Sequence, residues 1–308
     1  MKSLLDALLR SFFLLWARWG RASGILYQAI DRSSKYFSHT LRRRLLYNGI
    51  KIDCDLRDHV QQQIYFFGAY EPIESSLFLS LMPEGGTVID AGANVGFYTL
   101  MMANQVGPEG RVFAFEPVPR NFKALVANLE LNRPLSQVRA ECLALWSREE
   151  VLELNLAKDH LNNCGGFSAG SVEGTSEKVR CQAVSLESYF QKESLARWDG
   201  LKIDIEGAEL FAFKGMFELL KKYEPVILLE ICITTCKAFD YHPREILQLL
   251  QPLGYRIYRI GVSVDKSGWV SDLEGIVQSN VLLVPPRIGE WVPFWDCKEI
   301  YQKFCVHG

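Results

Sequence analysis

The pattern of apolar and polar positions alternates between short apolar runs and longer stretches with helical spacing. The apolar runs predict buried strands at 87–90, 111–117, 137–145, 201–205, 225–231, 255–261 and 280–285. The stretches between them predict helices at 95–104, 119–132, 185–194, 207–222 and 242–254. Nearly all-apolar strands separated by helices indicate a mostly parallel sheet that is covered on both faces. The sequence therefore predicts an α/β domain that binds its ligand at the carboxyl ends of the strands.

Three further segments lie between or before these elements. Residues 51–67 predict a strand or two followed by a short helical turn, and residues 72–82 predict a helix. Residues 158–177 are rich in Gly, Ser and Asn, which predicts a long loop. This loop either covers an acceptor pocket or is a mobile surface loop. In the first case the residues in contact with the acceptor are Asn163, Phe167 and Ser168.

Residues 1–24 are apolar and aromatic, but charged residues interrupt every apolar run. No run reaches the roughly 18 residues that a membrane-spanning helix needs. The apolar residues recur at helical spacing, which predicts an amphipathic helix. This helix either docks on its own domain or lies at a membrane surface beside its arginines. Asp6 and Arg10 interrupt the apolar region and so argue against a signal peptide.

The composition narrows the classes of protein that this chain can belong to. Its 308 residues, 48% of them hydrophobic, suit one domain with additions. The 34 basic and 36 acidic residues leave no strong positive field, so no nucleic-acid partner is expected. The eight cysteines are scattered, without zinc-ligand spacing, which is typical of reduced thiols. We therefore expect a cytoplasmic protein without structural zinc, associated with the membrane if residues 1–24 lie there.

The stretch TVIDAGANVGFYT, residues 87–99, joins the first buried strand to a helix. After Asp90 come Gly92, Ala93, Asn94 and Gly96, which carry almost no side-chain bulk. Gly, and less often Asn, accepts the left-handed backbone conformation of a tight turn, so the backbone there can approach a ligand. The spacing is neither G-x-G-x-x-G nor that of a P-loop. Because the carboxylate of Asp90 repels a pyrophosphate but attracts an ammonium group, the loop favours a cationic amino-acid ligand.

Glu116 ends the second strand of this sheet, 24 residues after Gly92. A carboxylate at this position can accept hydrogen bonds from both hydroxyls of a ribose, and enzymes that use NAD also place an acid there. Combined with the acidic glycine loop, Glu116 indicates a nucleoside with a cationic amino-acid tail. That description fits S-adenosylmethionine.

Several quoted stretches together resemble the FkbM family of S-adenosylmethionine-dependent methyltransferases. The resemblance covers about residues 48–286 and depends on D-x-G-A-N-x-G, F-E-P and K-I-D-x-E-G-A-E in that order. It implies a Rossmann-like class I methyltransferase fold with a seven-stranded, mostly parallel sheet, helices on both faces and an antiparallel last strand. It also implies methyl transfer to oxygen, often on a sugar or a natural product. The expected domains are an N-terminal helical extension (1–47), the methyltransferase domain (48–286) and a C-terminal tail (287–308).

The resemblance also implies which residues bind the cofactor. The methionine end would lie against Asp90, Gly92, Ala93, Asn94 and Gly96, and the ribose against Glu116. The adenine would lie against Cys142, Leu143 and Ala144. Tyr70 and Glu71 either close over the methionine end or form a turn with a solvated acid.

The segment LKIDIEGAE places three acids, Asp204, Glu206 and Glu209, where a strand passes into a helix. Acids also complement the dipole at a helix start, so these residues are either a catalytic cluster or helix-start acids balanced by Lys202. The candidate bases for a hydroxyl proton are Asp204, Glu206 and Glu230. Asp204 is also one of the predicted cofactor contacts. The alternative bases, His160 and His242, are more typical of loop or cap residues. The sequence lacks a clear set of metal ligands, so no metal is expected.

Three functions remain open on the sequence. The first is methyl transfer from S-adenosylmethionine to a hydroxyl of a small-molecule or carbohydrate acceptor. The second is a nicotinamide-dependent oxidoreductase, which shares the sheet and Glu116 but needs a glycine that the loop lacks. The third is a non-catalytic adenosyl-binding module that residues 1–24 tether to a membrane or a partner.

Overall fold

The computed structural model describes the greater part of the chain. The described residues are 8–9, 11–13, 15, 29–30, 41–46, 49–135, 137–157, 167–168, 175–193, 195–261, 267–273 and 277–288. Most of the predicted N-terminal helix, His160, Asn163 and the tail after residue 288 lie outside this part. The side chains of residues 155–177 also lie outside it, so the predicted contacts of Phe167 and Ser168 stay predictions.

The described part contains fourteen strands and nine α-helices. The strands are β1 (Leu41–Leu45), β2 (Lys51–Asp55), β3 (Thr87–Ala91), β4 (Arg111–Phe115), β5 (Val138–Glu141), β6 (Ala144–Leu145), β7 (Glu150–Ala157), β8 (Phe167–Ser168), β9 (Thr175–Val184), β10 (Gly200–Ile203), β11 (Val226–Cys232), β12 (Arg256–Arg259), β13 (Gly268–Val270) and β14 (Gln278–Val284). The helices are α1 (His59–Phe67), α2 (Pro72–Ser80), α3 (Phe97–Val106), α4 (Pro119–Glu130), α5 (Leu186–Lys192), α6 (Glu209–Lys214), α7 (Phe217–Tyr223), α8 (Ile233–Ala238) and α9 (Arg244–Leu250).

The central sheet has eight strands in the order β13-β12-β14-β11-β10-β3-β4-β5. The five strands from β11 to β5 are parallel, whereas β14 runs antiparallel to both of its neighbours. The mostly parallel α/β sheet and its antiparallel last strand are therefore as predicted. The predicted number of seven strands is too small, because β13 adds a short antiparallel strand at one edge. This strand has only three residues, Gly-Trp-Val, and is too short to show a strand period in the sequence.

A second sheet, in the order β6-β9-β7-β8, was not predicted. The predicted strand 137–145 is divided, since β5 joins the central sheet and β6 pairs with β9. The long antiparallel pair of β7 and β9 encloses a small core of its own with Val118 and Ala144. The alternating polar and apolar residues of β7 carry the two-residue period of a strand, so this element was detectable from the sequence.

Two predicted helices differ from those in the structure. The helix predicted at 207–222 is divided into α6 and α7 at Gly215. The backbone is closely packed at this point, since a Cβ on Gly215 would lie 2.1 Å from the carbonyl oxygen of Trp146. The short helical turn predicted within 51–67 is the full helix α1. Its first turn is capped by the Asp58 side chain, which accepts a hydrogen bond from the Gln61 amide at 2.9 Å.

Two hydrophobic clusters make up most of the core, with members on β3, β4, β11, β12 and β14 in both. One contains residues of α1, α2 and α3, and the other contains residues of α5 to α9. In the first cluster Phe13 is buried and packs edge-on against Phe66, with the ring centroids 5.8 Å apart. That contact is what a docked N-terminal segment predicts, although Leu8 and Phe12 are exposed. Among the described residues, none of the helices has the length and hydropathy to cross a bilayer.

Candidate active site

A cavity of about 1030 Å³ opens at the carboxyl ends of the central strands. Its walls come from the loop between β3 and α3, the ends of β10, β11, β12 and β14, and the segment from α1 to the start of α2. Ligand sites for small molecules usually measure about 300–1,000 Å³. The cavity is therefore large enough for a cofactor together with an acceptor molecule.

The glycine loop after β3 is tight because of contacts within the protein itself. Gly92, Asn94 and Gly96 have φ values of 79°, 49° and 93°, which are left-handed conformations. A Cβ on Gly92 would lie 1.9 Å from the carbonyl oxygen of Asp204, and one on Gly96 would lie 2.6 Å from a methyl carbon of Leu125. The lack of side-chain bulk at these two glycines therefore follows from packing rather than from a ligand. Gly92, Ala93 and Asn94 still line the cavity, whereas Gly96 does not.

Glu116 lines the cavity beside this loop and is only 2% exposed. One of its carboxylate oxygens accepts a hydrogen bond from the amide of Asn94 at 2.8 Å, and the other accepts one from the amide of Val118 at 2.9 Å. Burial raises the pKa of Glu116 to about 7, although both amides and Lys202 oppose the shift. Glu116 thus fixes the loop and also presents a carboxyl group to the cavity.

Asp90 is completely buried and does not line the cavity. Its Oδ2 accepts a hydrogen bond from the Thr99 hydroxyl at 2.5 Å. Its Oδ1 is buried and has no hydrogen-bond partner in the described part of the chain. Burial raises the pKa of Asp90, although Lys202 opposes the shift. Asp90 therefore lies behind the cavity wall, and its predicted interaction with an ammonium group, directly or through water, stays a prediction.

Lys202 is a buried cation of the site, 5% exposed, and its position in the sheet is opposite Asp90. Its Nζ donates to the carbonyl oxygen of Gly92 at 3.1 Å and lies 3.4 Å from Oδ2 of Asp204. It also lies 5.4 Å from the ring centroid of Tyr98. Burial lowers the pKa of Lys202, but the charges of Asp204 and Asp90 raise it by a larger amount. The pKa is therefore above its ordinary value, and the amine stays charged. Sequence reasoning gave Lys202 only a charge-balancing role and missed its bond to the glycine loop.

The three candidate bases, Asp204, Glu206 and Glu230, all line the cavity. Burial and the charge of Asp204 raise the pKa of Glu206 to about 8 and that of Glu230 to about 9. Glu230 accepts a hydrogen bond from Nε2 of Gln278 at 2.7 Å and hydrogen-bonds with Asp204. Glu206 has a φ of 54°, a conformation that is uncommon for a residue other than glycine. Such crowded carboxyl groups with raised pKa values are typical of a functional site.

Glu209 acts as a helix-start acid rather than as a candidate base. Its Oε1 accepts hydrogen bonds from the amides of Ile205 and Gly207 at 3.2 and 3.0 Å, and its Oε2 accepts one from the Tyr241 hydroxyl at 3.0 Å. These bonds hold the turn before α6. In the described part of the chain, no three His, Cys, Asp or Glu residues are arranged to hold a metal ion.

Glu71 is held firmly in the cavity wall rather than in a solvated turn. The hydroxyl of Tyr98 donates to one carboxylate oxygen at 2.8 Å, and Nδ2 of Asn280 donates to the other at 2.7 Å. Burial and the charge of Glu74 raise the pKa of Glu71 to about 7. Tyr70 lines the same wall. Asn280 was not foreseen as a site residue, because it lies in the strand predicted at 280–285 purely from apolar residues.

Two of the three residues predicted to hold adenine line a second, smaller cavity of about 30 Å³. Leu143 and Ala144 line it together with Gly92 and other apolar residues. Cys142 lines neither cavity, and its thiol lies 3.9 Å from the carbonyl oxygen of Pro117. The placement of adenine along this chain segment stays a prediction.

A histidine lines the cavity, and it is not His242; the other predicted histidine, His160, lies outside the described residues. His242 is exposed, does not line the cavity, and accepts a hydrogen bond from the amide of Arg244 at 3.2 Å, which is a cap interaction. His59 of α1 lines the cavity instead, and burial lowers its pKa. The sequence offered no signal for His59 beyond its place at the start of a helix.

The polar atoms of the site fit a cationic nucleoside. Oδ1 of Asn94, which lines the cavity, is buried and has no hydrogen-bond partner in the described part of the chain. Unpaired buried acceptors are costly unless a donor reaches them. An excess of carboxyl groups over cations lines the cavity. These oxygen atoms therefore suit an ammonium or sulfonium ligand and disfavour a pyrophosphate.

Comparisons with known proteins agree with this chemistry. The sequence profile of the Methyltransferase FkbM domain family matches residues 90–257. Methyltransferase sdnD of Sordaria araneosa is 28% identical over 217 residues, which cover 62% of this chain and 80% of that protein. The 31-O-demethyl-FK506 methyltransferase FkbM of Streptomyces tacrolimicus is 27% identical over 158 residues, which cover 43% of this chain and 60% of that protein.

Among solved structures, methyltransferase FkbM from Methylobacillus flagellatus KT is 12% identical with a TM-score of 0.40. That match covers 83% of this chain and 57% of that chain. The family match, which spans more than half of the chain, sets aside the oxidoreductase and the non-catalytic module. The chain belongs to the FkbM methyltransferase domain family and is a methyltransferase whose cofactor is S-adenosylmethionine.

Proposed function

We propose that this methyltransferase acts on oxygen, at a hydroxyl group of a sugar, a glycan or a natural product. The observation that carries the proposal is that Asp204, Glu206 and Glu230 meet at the ends of β10 and β11 in one cavity with the glycine loop. The relative from Streptomyces tacrolimicus, whose name describes an O-methyltransferase, supports transfer to oxygen.

We assign the methionine end of the cofactor to the wall formed by Gly92, Ala93, Asn94 and Glu71, and the ribose to Glu116. When bound, the cofactor would supply a methyl group on a sulfonium, and transfer of that group to the acceptor oxygen would leave the electron pair of the broken carbon–sulfur bond on sulfur. The protein contributes mainly by holding the acceptor hydroxyl in line, since positioning alone can supply a large part of a rate enhancement.

Asp204 is the base that we assign to the hydroxyl proton. It lies at the end of the central strand β10, between the glycine loop and Glu230, and Lys202 holds its Oδ2 at 3.4 Å. Glu230 has a pKa of about 9 and therefore holds a proton at neutral pH, so it can donate a hydrogen bond but cannot accept the substrate proton. Glu206 orients the acceptor from the other side of Asp204.

The catalytic domain proposed here extends beyond the family match, over about residues 48–286. Residues before the match, such as His59, Gln63 and Glu71, line the cavity, and so do Gln278 and Asn280 after it. Residues 1–24 are proposed as an amphipathic helix that docks on this domain, where Phe13 is already buried. Peripheral contact with a membrane through the same segment, in a cytoplasmic protein, remains the alternative proposal.

The base assignment is tested with methyl-labelled S-adenosylmethionine and a metabolite extract as the source of acceptor. We expect Asp204→Asn to lower the rate of labelling by about 10²–10⁴-fold, the usual contribution of a general base. Binding of S-adenosylhomocysteine, measured by calorimetry, should change much less. The matched control is Asp240→Asn at an exposed position outside the cavity, which should keep the full rate. Full activity of Asp204→Asn would contradict the assignment.

A further inference from the structure

The charges in the cavity are distributed unevenly, and this bears on the acceptor. Seven carboxyl groups line the cavity, and the fixed cations that line it are Lys202 and Arg259. Burial lowers the pKa of His59, so its ring is neutral at pH 7. The carboxyl groups belong to Glu71, Glu74, Glu116, Asp204, Glu206, Glu209 and Glu230.

Neither fixed cation is well placed to receive an anionic group of the acceptor. Lys202 already donates to the carbonyl oxygen of Gly92 and lies beside Asp204. Arg259 is an exposed residue at the end of β12, which is two strands from β11 and three strands from β10 in the central sheet. An anion on the acceptor near the reacting hydroxyl would therefore face carboxyl groups without a nearby available cation.

The cofactor neutralises only part of this excess. S-adenosylmethionine carries one net positive charge, from a sulfonium and an ammonium against one carboxylate. On the acceptor side of the cavity, which we define by Asp204, Glu206, Glu230 and Glu74, no donor is hydrogen-bonded to the carboxyl group of Glu206 in the described part of the chain. A ligand group that donates to Glu206 would satisfy it.

We infer that the acceptor side selects a hydroxylated molecule that carries a protonated amine near its reacting hydroxyl, and that it rejects phosphorylated and carboxylated acceptors. This inference rests on the proposed function and adds the charge class of its substrate. An amine donates charge-assisted hydrogen bonds to carboxylates, which are roughly twice as strong as neutral ones. A carboxylate or phosphate at the same place would lie beside the carboxylate of Asp204 and would offer Glu206 and Glu230 no cation to pair with.

The ligand-free cavity holds protons that a bound ammonium group would replace. Carboxyl groups that lack a cationic partner reduce their mutual repulsion by holding protons. Burial first, and then the charge of Asp204, raise the pKa of Glu206 to about 8 and that of Glu230 to about 9, so both hold protons at neutral pH. An ammonium group removes the need for these protons, so its binding should release them to the solvent.

The first test uses three matched pyranoses, D-glucosamine, D-glucose and D-glucuronate, with the protein saturated by S-adenosylhomocysteine. Saturation-transfer NMR reports the binding of each sugar without catalysis. We expect glucosamine to bind at least about tenfold more tightly than glucuronate, with glucose between them. Glu206→Gln should reduce this preference, whereas Glu218→Gln, at an exposed position outside the cavity, should preserve it. Equal signals, or no signal from glucosamine, would overturn the inference.

The second test separates this inference from the proposed function. A metabolite extract is labelled by the protein with methyl-labelled cofactor, before and after its amines are acetylated in water, and the products are passed over ion exchangers. We expect a labelled product that binds a cation exchanger and falls at least about tenfold after acetylation of the extract. Label in an anionic product, or label unaffected by acetylation, overturns the charge class alone. Absence of any labelled product overturns the proposed function.

Discussion

The two sides of the cavity are built in opposite ways. On the side of β3 and β4, the backbone is tightly packed, since Gly92 lies against the carbonyl of Asp204, and Glu116 accepts hydrogen bonds from two amides. Among the described residues of this side, Oδ1 of Asp90 and Oδ1 of Asn94 lack a hydrogen-bond partner. On the side of β10 and β11, the carboxyl groups of Glu206 and Glu230 are crowded, have raised pKa values and make few hydrogen bonds. The backbone shape of the first side is set by contacts within the protein. The carboxyl groups of the second side have few hydrogen-bond partners until a ligand binds.

This difference predicts how substitutions act on the two sides of the cavity. A loop whose shape follows from steric contact tolerates almost no substitution. Carboxyl groups that lack partners can be rearranged with little effect on packing, so substrate choice can vary there. Substitutions should therefore damage folding on the first side and alter ligand binding on the second.

The largest effect is expected for Gly92→Ala. The new Cβ would lie 1.9 Å from a backbone oxygen, in addition to the strain of a left-handed φ. We expect a loss of more than about 4 kcal/mol in the free energy of unfolding, measured by urea denaturation, or no folded protein. The matched control is Gly85→Ala, where φ is also positive (69°) but nothing lies within 4 Å. That variant should lose only about 1–2 kcal/mol. Equal losses would show that steric contact does not set the loop.

The next largest effect is expected for Lys202→Met. Removal of this ammonium leaves Asp90 and Asp204 without their buried cation and breaks the bond to the carbonyl of Gly92. Breaking a buried ion pair usually costs about 3–5 kcal/mol, so the midpoint of urea denaturation should fall markedly. Lys221→Met, on the exposed face of α7, is the control and should change stability little. A Lys202→Met protein of unchanged stability would show that the two sides are independent.

A smaller effect on binding is expected for Glu116→Gln. The amide retains one oxygen for a backbone N–H, but it replaces the other with a donor and loses the charge. We expect the affinity for S-adenosylhomocysteine, measured by calorimetry, to fall by about 1.5 kcal/mol or more, which is typical of a hydrogen bond to a charged group. Glu109→Gln, an exposed residue after α3, serves as the control. Unchanged affinity for Glu116→Gln would refute the ribose assignment.

The last prediction is a pH dependence of the stability of the ligand-free protein. In the folded state the pKa is about 7 for Glu71 and Glu116, about 8 for Glu206 and about 9 for Glu230, against an ordinary value of 4.5. The folded state therefore binds more protons than the unfolded state between these limits, so stability should fall as the pH rises. Tm, followed by circular dichroism, should be lower at pH 9 than at pH 6.

Glu206→Gln should raise Tm at pH 9 and flatten its pH dependence, because the amide cannot ionise. A gain of about 1 kcal/mol corresponds to roughly 2 °C for a domain of this size. Glu218→Gln, which removes an exposed charge, is the control. A Tm that rises from pH 6 to pH 9 would contradict the crowding of the cavity acids.

The central sheet could be predicted because its strands are buried on both faces and so consist almost entirely of apolar residues. The grouping of Asp204, Glu206 and Glu230 followed, since parallel strands end at one edge. The second sheet was missed because the notable feature of that segment was its loop residues, not the two-residue period of β7. The role of Lys202 was not foreseen, because its bond to Gly92 joins positions 110 residues apart. Likewise, Asp90 was expected in the cavity because local spacing does not reveal how deeply a strand end is buried.

The contact between Glu71 and Asn280 has a consequence for how the enzyme is made. These two residues, 209 positions apart, meet in one hydrogen bond of the cavity wall. During synthesis the pocket can close only after β14 has left the ribosome and reached the centre of the sheet, and contacts of such long range form slowly. A fragment cut to the family-matched residues 90–257 would lack both partners, so we expect it to be catalytically silent even if its remaining strands assemble.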